Sequence, residues 1–522
     1  MANAEAFTGL IKQGYQFKGN HFKIGTAMLD GKPLTGTDVF LPLRTLNRHG
    51  LIAGATGTGK TKTLQVLAEG LSNASVPVLL MDIKGDLSGI AKPGTANDKI
   101  NERAAATGVQ FTPAGFPVEL LSISDEKGVR IRATVTEFGP VLLSKILGLN
   151  DTQEGVVSMI FKYCDDNHLP VLDLKDFIKL LQYVSNEGKK ELEKEYGKIS
   201  TSSTGTILRK VIELQQQGGD IFFGEPSFQV EDLMRIADDG RGMISILRVS
   251  DMQNRPKLFS TFMLSLLAEL YATLPEEGDM EQPKLALFID EAHLVFQEAT
   301  DALMQQILTV VKLIRSKGVG IFFCTQNPQD VPAGVLAQLG LKVQHSLRAF
   351  TAADRKGIRQ AAENYPESTY YDVDELITQL GTGEALVTLL NEKGIPTPLV
   401  HTMLVPPASR MDVLTDEEIA TQVSTSTLKA KYDRAIDTES AYEILNAKIE
   451  AATETGSDEA LARDTRGSRQ KSTRPEKSTL EKILDSGAGR QVQRTAASII
   501  TRSLLGALGF GSRRSSRSRG FF

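Results

Sequence analysis

The chain holds 522 residues, 41% of them apolar, too many for one small domain and enough for two or three units with cores of their own. Its two cysteines, Cys164 and Cys324, exclude a disulfide framework and a zinc-type cluster, and no apolar run reaches the length of a membrane span. The net charge of −5 divides unevenly, because residues 463–522 carry 14 Lys or Arg against 4 Asp or Glu and so leave an acidic body ahead of a basic tail.

Residues 1–48 read as a short β-rich N-terminal segment punctuated by Gly31-Lys32-Pro33. Residues 1–14 lack the apolar stretch of a secretory signal, so a cytoplasmic protein with no integral membrane segment is expected. Over 49–139 the pattern is a short apolar strand at 50–53, a Gly-rich turn, a helix over 60–71 and a strand at 76–81 ending in Asp82. This βα alternation predicts an α/β core with a mostly parallel sheet covered by helices. Residues 140–236 read as a mainly helical insertion, with apolar periodicity at 141–147, 154–163, 174–183 and 203–217. The second part of the core, 237–405, places strands at 242–249, 284–289, 319–324, 342–347 and 384–390. Pro406-Pro407 ends it, and the capping box Thr415-Asp416-Glu417-Glu418 opens a helical C-terminal segment over 406–454. Residues 455–522 are basic and rich in Ser, Gly, Lys and Arg, and are expected to be helical or disordered.

Gly54-Ala55-Thr56-Gly57-Thr58-Gly59-Lys60-Thr61 matches the phosphate-loop pattern G-x-x-x-x-G-K-[ST], with a strand before it and a helix after it. Glycines let the backbone wrap phosphate oxygens with several N–H groups turned inward. The helix N-terminus adds about half a positive charge. Lys60 supplies a full charge for the β- and γ-phosphates, and the Thr61 hydroxyl suits Mg²⁺. Lys62 and Asp82 complete the predicted nucleotide-binding set.

The apolar strand at 284–289 runs into Asp290-Glu291. Asp290 is placed to hold Mg²⁺ through its hydration shell, and Glu291 to polarise the attacking water. Gln326, at the tip of the 319–324 strand, can orient the γ-phosphate or the water. An arginine that stabilises transition-state charge is worth about 10³–10⁵ in rate. Arg315, Arg348 and Arg355 are candidates, and the sequence does not choose among them. The six histidines show no metal spacing, and His293 reads as structural.

The segments 54–61, 82–86 (Asp-Ile-Lys-Gly-Asp), 288–293 (Phe-Ile-Asp-Glu-Ala-His) and 324–328 (Cys-Thr-Gln-Asn-Pro) together resemble the HerA/FtsK superfamily of P-loop ring ATPases. Within it the chain looks most like the bacterial HerA-helicase-like proteins, over roughly 20–405. The resemblance implies a RecA-like core, a hexameric homo-oligomer, ATP with Mg²⁺, and ATP-driven translocation on double-stranded DNA. It passes the nucleotide role to Gly57 through Thr61, the metal role to Asp290, the base role to Glu291 and the sensor role to Gln326. Two other readings stand beside a DNA helicase or translocase. One is a motor that remodels or secretes protein, which the acidic body suits. The other is a slow, nucleotide-switched regulatory protein. The basic tail is open to DNA, a membrane surface or solvent.

Overall fold

Short apolar runs bounded by Gly, Pro and Asp set the strands of this computed structural model, which describes residues 2–451 apart from 252–254, 279, 297–300, 350 and 437. The expected basic tail, 455–522, lies outside the described residues. The strands are β1 (His21–Leu29), β2 (Lys32–Pro42), β3 (Gly50–Ala53), β4 (Val78–Asp82), β5 (Val118–Ser122), β6 (Val129–Arg130), β7 (Ile244–Arg248), β8 (Leu285–Ile289), β9 (Val319–Thr325), β10 (Leu341–Gln344), β11 (Glu384–Thr388) and β12 (Val400–Leu404). They form one 12-stranded sheet in the order β2-β1-β12-β11-β10-β3-β9-β8-β4-β7-β5-β6.

From β10 to β6 every neighbouring pair is parallel. From β10 to β2 every pair is antiparallel. Every residue of β3, β4, β8 and β9 is buried, as parallel strands covered on both faces require. The fold class is therefore α/β with a mostly parallel, RecA-like core sheet. The β1–β2 hairpin turns on Asp30 and Gly31, at φ 50° and 71°, the positive pair that matches strand twist in a two-residue hairpin.

The N-terminal segment differs from a separate β-rich piece. Helix α1 (Ala2–Gly14) precedes it. Phe7, Ile11 and Tyr15 recur at helical spacing and are fully buried, in the same apolar core as β1, β11 and β12 residues. The Tyr15 hydroxyl reaches the Val387 and Pro398 carbonyls at 3.0 Å. Strands β1 and β2 thus extend the core sheet. Strands β5, β6 and β12 lie outside the predicted set, being short runs without a distinct alternation.

The described residues divide into two compact units, 2–131 with 228–434, and 132–227 with 435–451. The second unit is helical in its described part, with helices Val135–Ile146, Asp151–Asp166, Leu174–Ser185, Lys189–Glu195 and Thr201–Leu214. Capping boxes start the first three, at Thr134/Glu137, Asn150/Gln153 and Asp173/Asp176. The Thr134 cap opens a helix ahead of Pro140, while Gly139, at φ 66°, breaks it from within. The C-terminal helical segment is split between the units. Asp416–Ser424 belongs to the first, and the helix at 441–451 to the second. There the buried Asp176 accepts from Ser440 Oγ and, at 2.9 Å, from the Tyr442 N–H. Among the described residues no helix is long and apolar enough to cross a membrane.

Candidate functional site

Strand β3 lies between β9 and β10, so the loop that leaves Ala53 emerges between two strand ends. Backbone bonds pin it on both sides. Gly54 N donates to Thr325 O at 3.2 Å, Ala55 N to Ser346 O at 2.8 Å, and Gly383 N to Thr58 O at 2.9 Å. Gly54, Gly57 and Gly59 have φ of 153°, 81° and 111°, conformations that L side chains rarely adopt. At Gly54 space matters as well, since a Cβ there would stand 2.5 Å from His345 Cβ. Thr56 and Gly57 form the exposed crest, and Thr58 Oγ1 closes the turn onto Ala55 O at 2.7 Å.

Helix α2 (Lys60–Asn73) begins at the end of this loop. The buried Lys60 ammonium donates back to the Gly54 carbonyl and, at 3.1 Å, to that of Ala55. Burial pushes its pKa down and repulsion from Lys84 adds to this, while Glu291 and Asp290 pull the other way. Both acids are therefore within electrostatic reach of Lys60, although 230 positions separate Lys60 from Asp290 in the sequence.

Those acids arrive on β8. Its five residues are all buried, which carries the chain through the core and delivers Asp290 and Glu291 at the strand's C-terminal end. One strand, β9, separates β8 from β3. Burial pushes Asp290 up to about 6, against the pull of Lys84 and with the repulsion of Glu291. Glu291 has φ 44°, a left-handed conformation that costs a non-glycine residue on the order of 1 kcal/mol. Bonds from Ala292 N to Cys324 O and from Leu294 N to Glu291 O, both 2.9 Å, hold this turn. Glu291 Oε1 is ion-paired with Lys84 Nζ. Its Oε2 is buried and accepts no hydrogen bond, and His293 Nδ1 is 3.3 Å away.

Asp82, predicted for the nucleotide-binding set, is bonded to the turn that follows it. Its Oδ1 accepts from Gly85 N at 2.8 Å and Asp86 N at 3.1 Å, and its Oδ2 from Leu87 N at 3.1 Å. A short polar side chain at a strand end finds its nearest donors in the turn that follows it. Burial pushes Asp82 up to about 7, opposed by the Leu87 N–H. The latched turn presents two residues that the sequence reading passed over. Lys84 meets Glu291, and Asp86 Oδ2 accepts from Thr61 Oγ1 at 3.3 Å. Asp86 Oδ1 is buried without a partner. The signal for both was the pair of charges flanking Gly85 in Asp-Ile-Lys-Gly-Asp.

Lys62, predicted for the same set, turns its side chain to the residues after β12. It donates to the Met411 carbonyl, on a face of α2 where Gln65 and Glu69 hold residues 408–410. Gln326 is exposed, one residue beyond Thr325, which pairs with Ala53 beside the loop. Arg348 is exposed and its Nη2 lies 3.4 Å from Thr56 O, against the loop of its own chain. Arg315 does not meet that loop. It precedes β9 and acts electrostatically on His49, which precedes β3. The seven residues of β9, at about 3.3 Å each, put it roughly 20 Å away. Arg355 is exposed on the helix Ala352–Ala362.

The oxygens on offer are the Thr61 hydroxyl bonded to the Asp86 carboxylate at the end of the loop, and the Asp290 carboxylate at the end of β8, which acts electrostatically on Asp86 and Lys60. Such hard donors fit Mg²⁺, which takes one or two carboxylates together with phosphate and water oxygens. The orphaned Asp86 Oδ1 fits the same role. Among the described residues no three His, Cys, Asp or Glu side chains are grouped to hold a metal by themselves.

The family described as Helicase HerA-like C-terminal matches residues 28–515. The chain belongs to this family. The DNA double-strand break repair helicase HerA of Sulfolobus acidocaldarius is 22% identical over 362 residues, covering 68% of this chain and 64% of the relative. That of Sulfurisphaera tokodaii is 24% identical over 377 residues, covering 70% and 67%. The chain thus spans about two thirds of the length of these HerA relatives. Among solved structures, the bacterial conjugative coupling protein TrwB is 16% identical with a TM-score of 0.49, covering 78% of this chain and 94% of that one. The HerA/FtsK resemblance read from the four motifs agrees with the family match.

Proposed function

We propose that this HerA-like chain hydrolyses ATP with Mg²⁺ to drive a motor on double-stranded DNA, as a homo-oligomeric ring, hexameric by resemblance, in the cytoplasm. The observation that carries the reading is the strand order, in which the single strand β9 separates β3, which leads into the loop with Lys60, from β8, which ends in Asp290 and Glu291. Family membership supports it, because relatives in that family are named helicases.

The chain's own groups divide the work. Loop N–H groups and the N-terminus of α2 bind phosphate oxygens. Lys60 exchanges its carbonyl partners for the β- and γ-phosphates. Thr61, Asp86 and Asp290 would hold Mg²⁺, which would neutralise phosphate charge. Glu291 takes a proton from water at Oε2, the oxygen that Lys84 does not hold. Gln326, at the β9 tip beside the loop, orients the water or the γ-phosphate. Arg348 steadies the crest at Thr56. Arg315, far from the loop of its own chain, is left for a neighbouring subunit.

The test is ATPase rate with and without duplex DNA over a range of salt, read beside the mass in solution. Stimulation by duplex that weakens as salt rises is expected, because counterion release makes phosphate contacts salt-dependent. ATPase without stimulation at any salt removes the DNA reading. Protein clients captured without DNA would then carry the protein-remodelling reading.

A further inference from the structure

Glu291 is held by a residue outside the two motifs that frame the site. Its Oε1 is paired with Lys84, whose side chain is 30% exposed against 7% for that of Glu291. Both ends of this pair stand on fixed backbone. Lys84 sits in the turn that Asp82 latches through Gly85, Asp86 and Leu87. Glu291 sits in the left-handed turn that Ala292 ties to the Cys324 carbonyl.

A carboxylate rotates broadly about its last torsion. Pairing one oxygen therefore selects which oxygen stays open. Here the oxygen left without a hydrogen bond is Oε2, which is buried, with His293 Nδ1 3.3 Å away. Lys84 also feels Asp290 and Asp86. It is a cation placed among three carboxylates that would otherwise repel one another.

We propose that Lys84 is a positioning residue for hydrolysis, which by holding Glu291 Oε1 presents Oε2 to the attacking water. The inference rests on the hydrolase reading above. In the step it serves, a water O–H bond breaks and its proton passes to Oε2. The water oxygen bonds to the terminal phosphorus. The bridging P–O bond breaks, and its electron pair leaves with the nucleoside diphosphate.

The experiment uses the full chain with Lys84→Met and Lys84→Arg. Misplacement of a catalytic group by about 1 Å costs roughly 10²-fold, so K84M should lose about that much kcat. KM and the binding of a fluorescent ATP analogue should stay unchanged, since no ground-state contact to nucleotide is removed. K84R, which keeps a cation at that place, should recover most of the loss. A second readout needs no turnover. In thermal unfolding without nucleotide, K84M and E291Q should be non-additive, with the double variant melting no lower than K84M alone. If K84M does not fold, Lys84→Gln takes its place with the same expectations. Parental turnover in K84M, additive melting shifts, or loss of analogue binding together with turnover would each overturn the inference. A parent chain without turnover would instead remove the hydrolase reading, and with it the role of Lys84. A parent that turns over, matched by K84M, removes the inference alone.

Discussion

Thr61 Oγ1 donates to Asp86 Oδ2 at 3.3 Å, joining the end of the phosphate loop to a turn 25 residues away in the sequence. The other oxygen of Asp86 is buried and unpartnered. Asp86→Asn keeps the shape and one acceptor but removes the charge. Groups that support a metal site are commonly worth about 10- to 100-fold in metal affinity. The Mg²⁺ concentration for half-maximal ATPase should therefore rise by about tenfold, with the rate at saturating Mg²⁺ largely kept. An unchanged Mg²⁺ dependence would place Asp86 outside the cation's surroundings.

Lys60 and Glu291 should fail in different ways. Lys60→Ala removes the buried ammonium that the loop holds, so binding of a fluorescent ATP analogue should be lost with turnover. Glu291→Gln keeps the size of the side chain, so it should bind the analogue while hydrolysis falls by about 10²–10⁴. Normal turnover in E291Q would show that another group takes the proton.

The glycines of the loop should also separate. Gly59 has φ 111°, and a Cβ there would stand 3.0 Å from the Gly383 backbone nitrogen. Gly57 has φ 81° but nothing within 4 Å of such a Cβ. Gly59→Ala should destabilise by more than the roughly 1–2 kcal/mol of left-handed backbone alone, and Gly57→Ala by about that amount. Thermal unfolding of the two variants measures the difference, and equal shifts would mean that the Gly383 contact relaxes without cost.

His49 makes stability depend on pH. Its Nε2 faces the Val311 carbonyl at 2.8 Å, and its Nδ1 accepts from Ile321 N at 3.0 Å, which fixes the neutral ring with the proton on Nε2. Burial pushes its pKa down to about 4 from 6.5. Between these values the unfolded chain binds the proton and the folded chain does not, so stability falls as pH drops. The contribution is complete above pH 6.5, is lost progressively toward pH 4, and is on the order of 3 kcal/mol. Denaturation midpoints across that window should fall for the parent and fall less for His49→Gln, which has no proton to gain. Parallel profiles would assign the pH dependence to other groups.

Much of the core was legible because its signals are local. Buried runs such as 285–289 and 319–325 need no partner to be recognised as strands, and Gly54 to Thr61 carries its own backbone chemistry. The capping boxes at Thr134 and Thr415 are equally local. The N-terminal helix was not legible as core. Its first residues are small and polar, and the helical spacing of Phe7, Ile11 and Tyr15 means burial only once a sheet stands opposite.

The sequence by itself determined the strand, loop and helix around Lys60, the acidic end of β8 and the superfamily, because each is a pattern within a few neighbouring residues. Only the tertiary structure decided where the polar side chains point. Asp82 turned to its own loop, Lys62 to Met411, Lys84 to Glu291 and Asp86 to Thr61. It also set Arg348 at the loop and Arg315 at the far end of the sheet. The physical reason is that a charged side chain goes to whichever donor or opposite charge the strand order brings within reach. That order, with β9 between β3 and β8, arises from packing over the whole sheet.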